Sequence, residues 1–221
     1  MREVKVIFFD AAGTLIYLPR GVDFHYAHVA RQFGWNTDEM SFEGEFRSVW
    51  KQMPERTAGR VPREDDDRGW WRDLVFRVLD RVDPPRGFDR EGYFGAVYKL
   101  FSQPGIWSLF PETLEVLGTL APRYRFAVLS NFDGRLRTVL GHLGVLHRFE
   151  EVVLSSEAGA DKPDPWIFEH ALNCVGITPN EALLVGDDPK CDIAGAQRAG
   201  WHAFHIDRPR TTLRDLALAL T

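Results

Sequence analysis

The sequence has few features that would tie it to a membrane, to nucleic acid or to an oxidising compartment. Of its 221 residues two are cysteines, Cys174 and Cys191, and their spacing matches no zinc or redox pattern, so we expect reduced thiols. No apolar stretch approaches ~18 residues, and no charged-then-apolar leader precedes the first strand. These absences predict a cytoplasmic protein without a membrane segment. A net charge of −5 and the lack of a long basic run argue against a nucleic-acid partner.

The rest of the composition is that of an ordinary globular protein. Apolar residues make up 44% of the chain and charged residues 27%. A chain of 221 residues is long enough for one large domain, or for a core domain that carries an insertion.

The order of the predicted elements indicates the fold class. Residues 4–9 form a nearly continuous apolar run, which is typical of a strand buried on both faces of a sheet. From residue 111 onwards, helical and strand patterns alternate, which predicts an α/β fold with a Rossmann-like parallel sheet. Residues 20–102 contain helical patterns and no strand signal. We therefore expect a core domain formed by residues 1–16 and 104–221, with an all-helical insertion over residues 17–103.

Polar side chains follow the predicted strands at the points where the strands end. They are Asp10, Ser130, Asn131, Asp187 and Asp188, with Asp192 a few residues further on. Because parallel strands place their carboxyl ends at one edge of the sheet, we expect these side chains to lie close together. Lys162 lies in a strand-to-helix loop that Pro163 and Pro165 hold stiff and extended.

These residue types point to phosphoryl chemistry. Three or four carboxylates at one edge cannot all stay ionised without a cation, and ligands that are all oxygens favour Mg²⁺. Together with this ion, the Lys162 ammonium and donors from Ser130 and the Asn131 backbone would form a cradle for a phosphoryl group. A carboxylate beside that cradle is positioned to act as a nucleophile.

The four clusters, in this order, resemble the motifs of the haloacid dehalogenase (HAD) superfamily. The family's first motif, D-x-D-x-T, is matched by Asp10-Ala11-Ala12-Gly13-Thr14, in which Ala12 replaces the second Asp. The strand-end Ser, the Lys followed by Pro and the acidic pair of the other three motifs are matched by Ser130, Lys162-Pro163 and Asp187-Asp188. The insertion resembles the family's helical C1 cap.

The resemblance implies a role for each matched residue. Asp10 would be the nucleophile and a Mg²⁺ ligand, and Ala12 would give its backbone carbonyl to the metal. Asp187 would be a direct metal ligand, while Asp188 or Asp192 would hold metal-bound water. Ser130 and Asn131 would bind the transferred group, and Lys162 would neutralise charge between Asp10 and the substrate.

The alanine at position 12 leaves the reaction open, because the missing Asp is the family's general acid and base, worth ~10²–10⁴-fold in rate. The interpretation we favour is a Mg²⁺-dependent phosphohydrolase that forms an aspartyl-phosphate at Asp10. Its substrate would be a small phosphorylated metabolite. The leaving group would need little protonation, or the acid would come from the cap, where His25 and His28 lie one helical turn apart.

Three alternatives remain. The family's haloacid dehalogenases also lack the second Asp, but they work without metal, and the Asp187-Asp188 pair argues against them. A phosphonatase-like enzyme carries Ala at position 12 but needs a cap lysine, for which the insertion offers Lys51 and Lys99. The third alternative is an impaired HAD-fold protein that is retained as a binding module.

Overall fold

A computed structural model describes residues 3–56 and 58–221, and the chain divides into two compact units. The first unit comprises Met1–Tyr17, Thr57–Asp66 and Ser108–Thr221, and the second comprises Leu18–Arg56 and Asp67–Trp107. The insertion expected over residues 17–103 therefore differs from the second unit in its middle, where residues 58–66 hydrogen-bond to loops of the first unit.

The first unit is built on a five-stranded parallel sheet, which confirms the expected α/β class. Its strands run in the order β5-β4-β1-β6-β7. They are β1 (Val6–Phe9), β4 (Arg125–Ser130), β5 (Glu151–Leu154), β6 (Ala182–Gly186) and β7 (His202–His205). β1 pairs with β4 on one side and with β6 on the other, and none of its four side chains is exposed. Burial on both faces explains why its sequence is uniformly apolar and does not alternate.

Helices cover this sheet, and a separate two-stranded sheet accompanies it. The helices are α5 (Thr113–Leu120), α6 (Arg135–His142), α7 (Ser155–Ala158), α8 (Pro165–Val175), α9 (Gly195–Arg198) and α10 (Leu213–Leu220). The second sheet pairs β2 (Ile16–Tyr17) with β3 (Ser108–Leu109) in antiparallel fashion. The structure has a π-helical turn over Pro189–Ala194 before α9 begins.

The second unit contains helices and turns alone among its described residues. They include α1 (Gly21–Gln32), α2 (Glu45–Trp50), α3 (Arg68–Val82) and α4 (Arg90–Leu100). A short 3₁₀ turn, Glu39–Phe42, precedes α2, and Gly44 separates the two with a φ of 74°. None of the helices that the structure describes is long and apolar enough to cross a membrane.

A mostly buried ion pair ties the loop after β7 to the start of α5. Arg208 donates from Nη1 to Glu112 Oε1 over 2.6 Å, and from Nη2 to the carbonyl of Thr14 over 3.2 Å. Its guanidinium also lies 3.6 Å from the centroid of the Phe110 ring. Burial opposes ionisation of Glu112, but hydrogen bonds from backbone amides and from Arg208 outweigh it and lower the pKa of Glu112.

Glu112→Gln tests the contribution of this pair. Because the folded-state pKa of Glu112 is lowered, the pair stabilises the fold above the ordinary glutamate pKa of 4.5, and this contribution is lost as the pH falls through the folded-state value. We expect the variant to lose about 1–2 kcal/mol of unfolding free energy at pH 7, and the difference from the wild type to shrink below pH 4. Urea unfolding across this pH range measures both quantities.

Glu115→Gln is the matched control. Glu115 pairs with Arg214 at the surface, where both side chains are about 60% exposed, so its removal is expected to change little. Equal effects of the two substitutions at pH 7 would contradict the special contribution of Glu112.

Candidate active site

Three strand ends bring acidic and hydroxyl side chains to the carboxyl edge of the sheet. Asp10 follows β1 directly, and its backbone amide donates to the carbonyl of Val185 in β6 over 2.8 Å. Ser130 ends β4 and donates from Oγ to Asp10 Oδ1 over 2.9 Å. Asp187 follows β6. The parallel order of these strands therefore positions the side chains that the sequence predicted to lie together.

The Lys162 ammonium is the centre of this arrangement, although Lys162 lies in a loop far from β1 in sequence. It donates to Asp10 Oδ1 over 2.8 Å, to Asp192 Oδ1 over 2.6 Å and to the carbonyl of Leu129 over 2.7 Å. These three acceptors match the three protons of the ammonium. Lys162 is 3% exposed, so its charge is stabilised by its hydrogen-bond partners and not by water.

A reciprocal pair of hydrogen bonds holds the Lys162 loop to the end of β4. The backbone amide of Lys162 donates to Asn131 Oδ1 over 2.6 Å, and Asn131 Nδ2 donates back to the carbonyl of Lys162 over 2.8 Å. The Asn131 side chain therefore positions the lysine, and the binding of the transferred group expected of its backbone stays a prediction.

Three carboxylates meet beside the ammonium. Oxygens of Asp10, Asp187 and Asp192 all lie within 4.8 Å of one another. Two glycines leave room for them: a Cβ at Gly13 would lie 2.4 Å from Asp187 Oδ2, and a Cβ at Gly186 would lie 2.3 Å from Asp192 Cγ. Gly13 also has a φ of 92°, which disfavours any other residue there.

This clustering perturbs the ionisation of the site. Burial, opposed by Lys162 and reinforced by Asp192, raises the pKa of Asp10 to about 6. Burial and the neighbouring Asp192 also raise the pKa of Asp187. Burial lowers the pKa of Lys162, but Asp10 and Asp192 outweigh burial and raise it above its usual value. Three carboxylates thus share one positive charge, which favours the binding of a further cation.

The donor set fits a divalent metal ion. All three clustered side chains offer carboxylate oxygen, the ligand type preferred by Mg²⁺ and other hard cations. An ion bound there would offset the carboxylate charge that one lysine leaves uncompensated. Asp10, Asp187 and Asp192 are the side chains that would hold it.

One of the metal-site side chains expected from the sequence, that of Asp188, lies apart from this cluster. Asp188 is exposed, and its Oδ1 accepts hydrogen bonds from the backbone amides of Lys190 and Cys191, so this carboxylate caps the following turn. Of the two carboxylates Asp188 and Asp192, it is Asp192 that lies in the cluster, and Asp188 does not. Ala12 lies exposed in the turn after Asp10, and the role expected for its backbone carbonyl as a metal ligand stays a prediction.

The second unit contains His25 and His28, which were weighed as the missing acid, and Lys51 and Lys99, which were weighed as the lysine of a phosphonatase. His25 is buried, with its ring 5.8 Å from that of Phe101, and burial, together with His28 and Arg20, lowers its pKa. Its environment is therefore that of a neutral core histidine. Lys51 is exposed at the end of α2.

Sequence reasoning did not assign roles to two residues that support the cluster. Thr14 donates from Oγ1 to Asp187 Oδ1 over 3.4 Å, while its carbonyl accepts from Arg208. Thr14 belongs to the first motif, which is a signal for its role. Arg208 has no comparable signal, because its link to the site runs through a backbone carbonyl.

Comparison with known proteins identifies the family. The family profile described as haloacid dehalogenase-like hydrolase matches residues 4–200, and the chain belongs to this family of hydrolases. Haloacid dehalogenase-like hydrolase domain-containing protein 3 of Mus musculus is 31% identical over 206 residues, covering 92% of this chain and 82% of that protein.

Two further similarities concern activity and fold. The phosphoserine phosphatase of Thermus thermophilus is 39% identical over 104 residues, which is 46% of this chain and 42% of that protein. A defluorinating L-2-haloacid dehalogenase of known structure superposes with a TM-score of 0.81 at 18% identity, covering 98% of this chain and 95% of that one. At this identity the second similarity concerns the fold alone.

Gly13→Ala tests the packing of the acidic cluster. The added methyl would overlap the Asp187 carboxylate, so we expect the Asp187 side chain to move and the affinity of the cluster for a cation to fall. At a Mg²⁺ concentration 100 times the dissociation constant, binding of the ion stabilises the fold by about 2.7 kcal/mol. Thermal unfolding with and without Mg²⁺ measures this stabilisation as a rise in Tm. The variant should lose this rise.

Gly144→Ala is the control for backbone strain. Gly144 has a φ of 71°, but nothing lies within 4 Å of its added Cβ. We expect a lower Tm with the Mg²⁺-dependent rise intact. A Gly13→Ala protein that keeps the wild-type rise would contradict the close packing of Gly13 against Asp187.

Proposed function

We propose that this chain is a Mg²⁺-dependent phosphohydrolase that acts on a small phosphorylated metabolite through an aspartyl-phosphate at Asp10. The observation that carries the proposal is the meeting of Asp10, Lys162 and Asp192 with Asp187 beside them. The partial similarity to a phosphoserine phosphatase supports the same reaction class. Mg²⁺, when bound, supplies positive charge that offsets the carboxylates and the phosphoryl oxygens.

The hydrogen bonds of Asp10 indicate which of its oxygens attacks. Ser130 and Lys162 both donate to Oδ1, which leaves Oδ2 as the nucleophile. Oδ2 forms a bond to phosphorus while the bond from phosphorus to the leaving oxygen breaks, and the leaving group departs with that electron pair. Water then attacks phosphorus and the bond from phosphorus to Oδ2 breaks, so that its electron pair returns to the Asp10 carboxylate, the proton lost by the water passes to solvent, and inorganic phosphate leaves.

Lys162 and Ser130 hold the nucleophile in position during both steps. With three fixed acceptors, the ammonium has one orientation and keeps Asp10 from rotating. Its charge also favours the ionised carboxylate, which is the reactive form. Asn131 preserves this geometry by fixing the backbone of Lys162.

Ala12 limits the leaving group. The position offers no proton to the departing oxygen, so the preferred substrates carry leaving groups of low pKa, such as acyl or aryl phosphates. A dehalogenase reaction is disfavoured by the same acidic cluster that favours a cation, because that reaction needs no metal. A binding module would retain ligand affinity without turnover.

Asp10→Asn tests the nucleophile on a panel of acyl and aryl phosphates. We expect the wild type to release phosphate with Mg²⁺ and not with chelator, and the variant to lose at least about 10³-fold in kcat. Phosphate release measures the rate, and acid-quenched protein from a reaction with labelled substrate reports the covalent phosphate. Asp73→Asn, at an exposed aspartate of α3, is the control.

The outcomes separate the classes of function. Halide release from a 2-haloacid in the presence of chelator would favour the dehalogenase alternative. An absence of turnover across the panel, with ligand binding retained, would favour the binding module. Either result would overturn the proposed reaction.

Ala12→Asp tests whether the missing acid limits the rate. Because Ala12 is exposed, a carboxylate fits there, and a restored general acid would raise alkyl-phosphate turnover by about tenfold or more. Aryl phosphates should gain little, since their leaving groups need little protonation. Ala12→Asn is the isosteric control without a titrating group, and equal rates for the two variants would contradict this account.

A further inference from the structure

Residues 58–66, which we call the strap, come from the middle of the predicted insertion but belong to the first unit. Two backbone hydrogen bonds attach the strap to α7 and its C-terminal glycine. Arg60 N donates to the carbonyl of Gly159 over 3.2 Å, and Arg63 N donates to the carbonyl of Ser156 over 2.7 Å. The strap therefore lies along the segment that leads into the Lys162 loop.

The approach of the strap to this segment is close enough to require glycine. A Cβ at Gly159 would lie 2.0 Å from the carbonyl oxygen of Val61. Backbone atoms cannot move aside as the end of a flexible side chain can. Gly159 also has a φ of 70°, so the same residue ends α7 and admits the strap.

Asp66 joins the two loops that carry the catalytic and phosphate-binding groups. Its Oδ2 accepts from the backbone amide of Gly134 over 2.9 Å, and its Oδ1 accepts from Ser156 Oγ over 2.5 Å. Gly134 lies three residues after Asn131, and Ser156 lies in the segment before Lys162. One carboxylate thus bridges both loops at their outer ends.

Arg63 provides a second side-chain contact to the lysine loop. Its Nη1 and Nη2 each donate to Asp161 Oδ1 over 3.2 Å. Asp161 directly precedes Lys162, whose ammonium holds Asp10. A shift of the Asp161 backbone would therefore be transmitted to the ammonium.

We propose that the strap sets the position of the Lys162 and Asn131 loops, with Asp66 and Arg63 as positioning residues for the reaction. The effects on kcat and KM that this inference predicts rest on the proposed function. The reciprocal hydrogen bonds join the two loops at Asn131 and Lys162. Asp66 joins the same stretches of chain a second time, at Gly134 and Ser156. Both links are needed to hold Ser130 and Lys162 on the same oxygen of Asp10.

Asp66→Asn and Arg63→Gln test this inference, with Glu64→Gln as the matched control. Asn keeps the shape of Asp66 and tolerates its φ of 51°, but it replaces one carboxylate acceptor by an amide. Glu64 is an exposed acid in the same strap. The measurements are hydrogen exchange of the peptides spanning 129–135 and 156–163, and kcat and KM for an aryl phosphate with Mg²⁺.

We expect Asp66→Asn to raise exchange in both peptides and Arg63→Gln to raise it in the second. Each should lower kcat by about tenfold with a smaller change in KM, because misplacement of reacting groups acts on the transition state. Glu64→Gln should match the wild type. If the two variants lower only the yield of folded protein, with exchange and kcat of the folded fraction unchanged, the inference is wrong.

Gly134→Ala disturbs the contact between Gly134 and Asp66 from the glycine side. It replaces Asp66→Asn in both measurements if that variant does not fold. The added Cβ would lie 2.8 Å from Asp66 Oδ2, while the φ of −54° at Gly134 suits alanine. Where Asp66→Asn does fold, the effects of the two substitutions on exchange and kcat should be less than additive in the double variant. Full additivity would overturn the bridge.

A wild type without any phosphate release would contradict the proposed function alone. The exchange measurements do not depend on turnover, so they still support or overturn the ordering of the two loops by the strap.

Discussion

The bonding of one buried ammonium holds the candidate site together. Lys162 joins the end of β4, the carboxylate after β1 and the carboxylate of Asp192 through three hydrogen bonds. Because a buried ammonium without partners would be costly, the position of each partner is constrained by the charge of the lysine. The segments that carry these groups are distant in sequence; the strand order brings them to one edge of the sheet, and the ammonium then joins their polar groups there.

The same electrostatics explains why the site suits a cation and an anionic substrate. One ammonium cannot balance Asp10, Asp187 and Asp192, and the raised pKa values of Asp10 and Asp187 reflect this excess of negative charge. A bound divalent ion would remove the excess, and in the function proposed above the ion and Lys162 would together offer positive charge to a phosphoryl group. The parallel sheet supports this arrangement with a rigid edge, since β1 lies between β4 and β6.

Much of the fold and part of the site were predictable because their signals are local. An uninterrupted apolar run predicted β1, and Pro165 with Asp164 before it marks the start of α8 at its observed position. The first-motif spacing placed Asp10 at the end of β1. The strap was not predictable, because its attachment through Arg60 and Arg63 uses backbone groups that every residue possesses.

The sequence by itself determined the α/β class, the order of the strands along the chain and the identity of the residues that end them. Short apolar runs and helical spacing of apolar residues are enough for this, because both follow from which faces of an element are buried. Only the tertiary structure decided which acids lie close enough together to hold one ion. Asp192 reaches the cluster and Asp188 does not, because a turn of π-helix directs one inwards while backbone amides engage the other. Such choices depend on distances between separate loops, which no local pattern records.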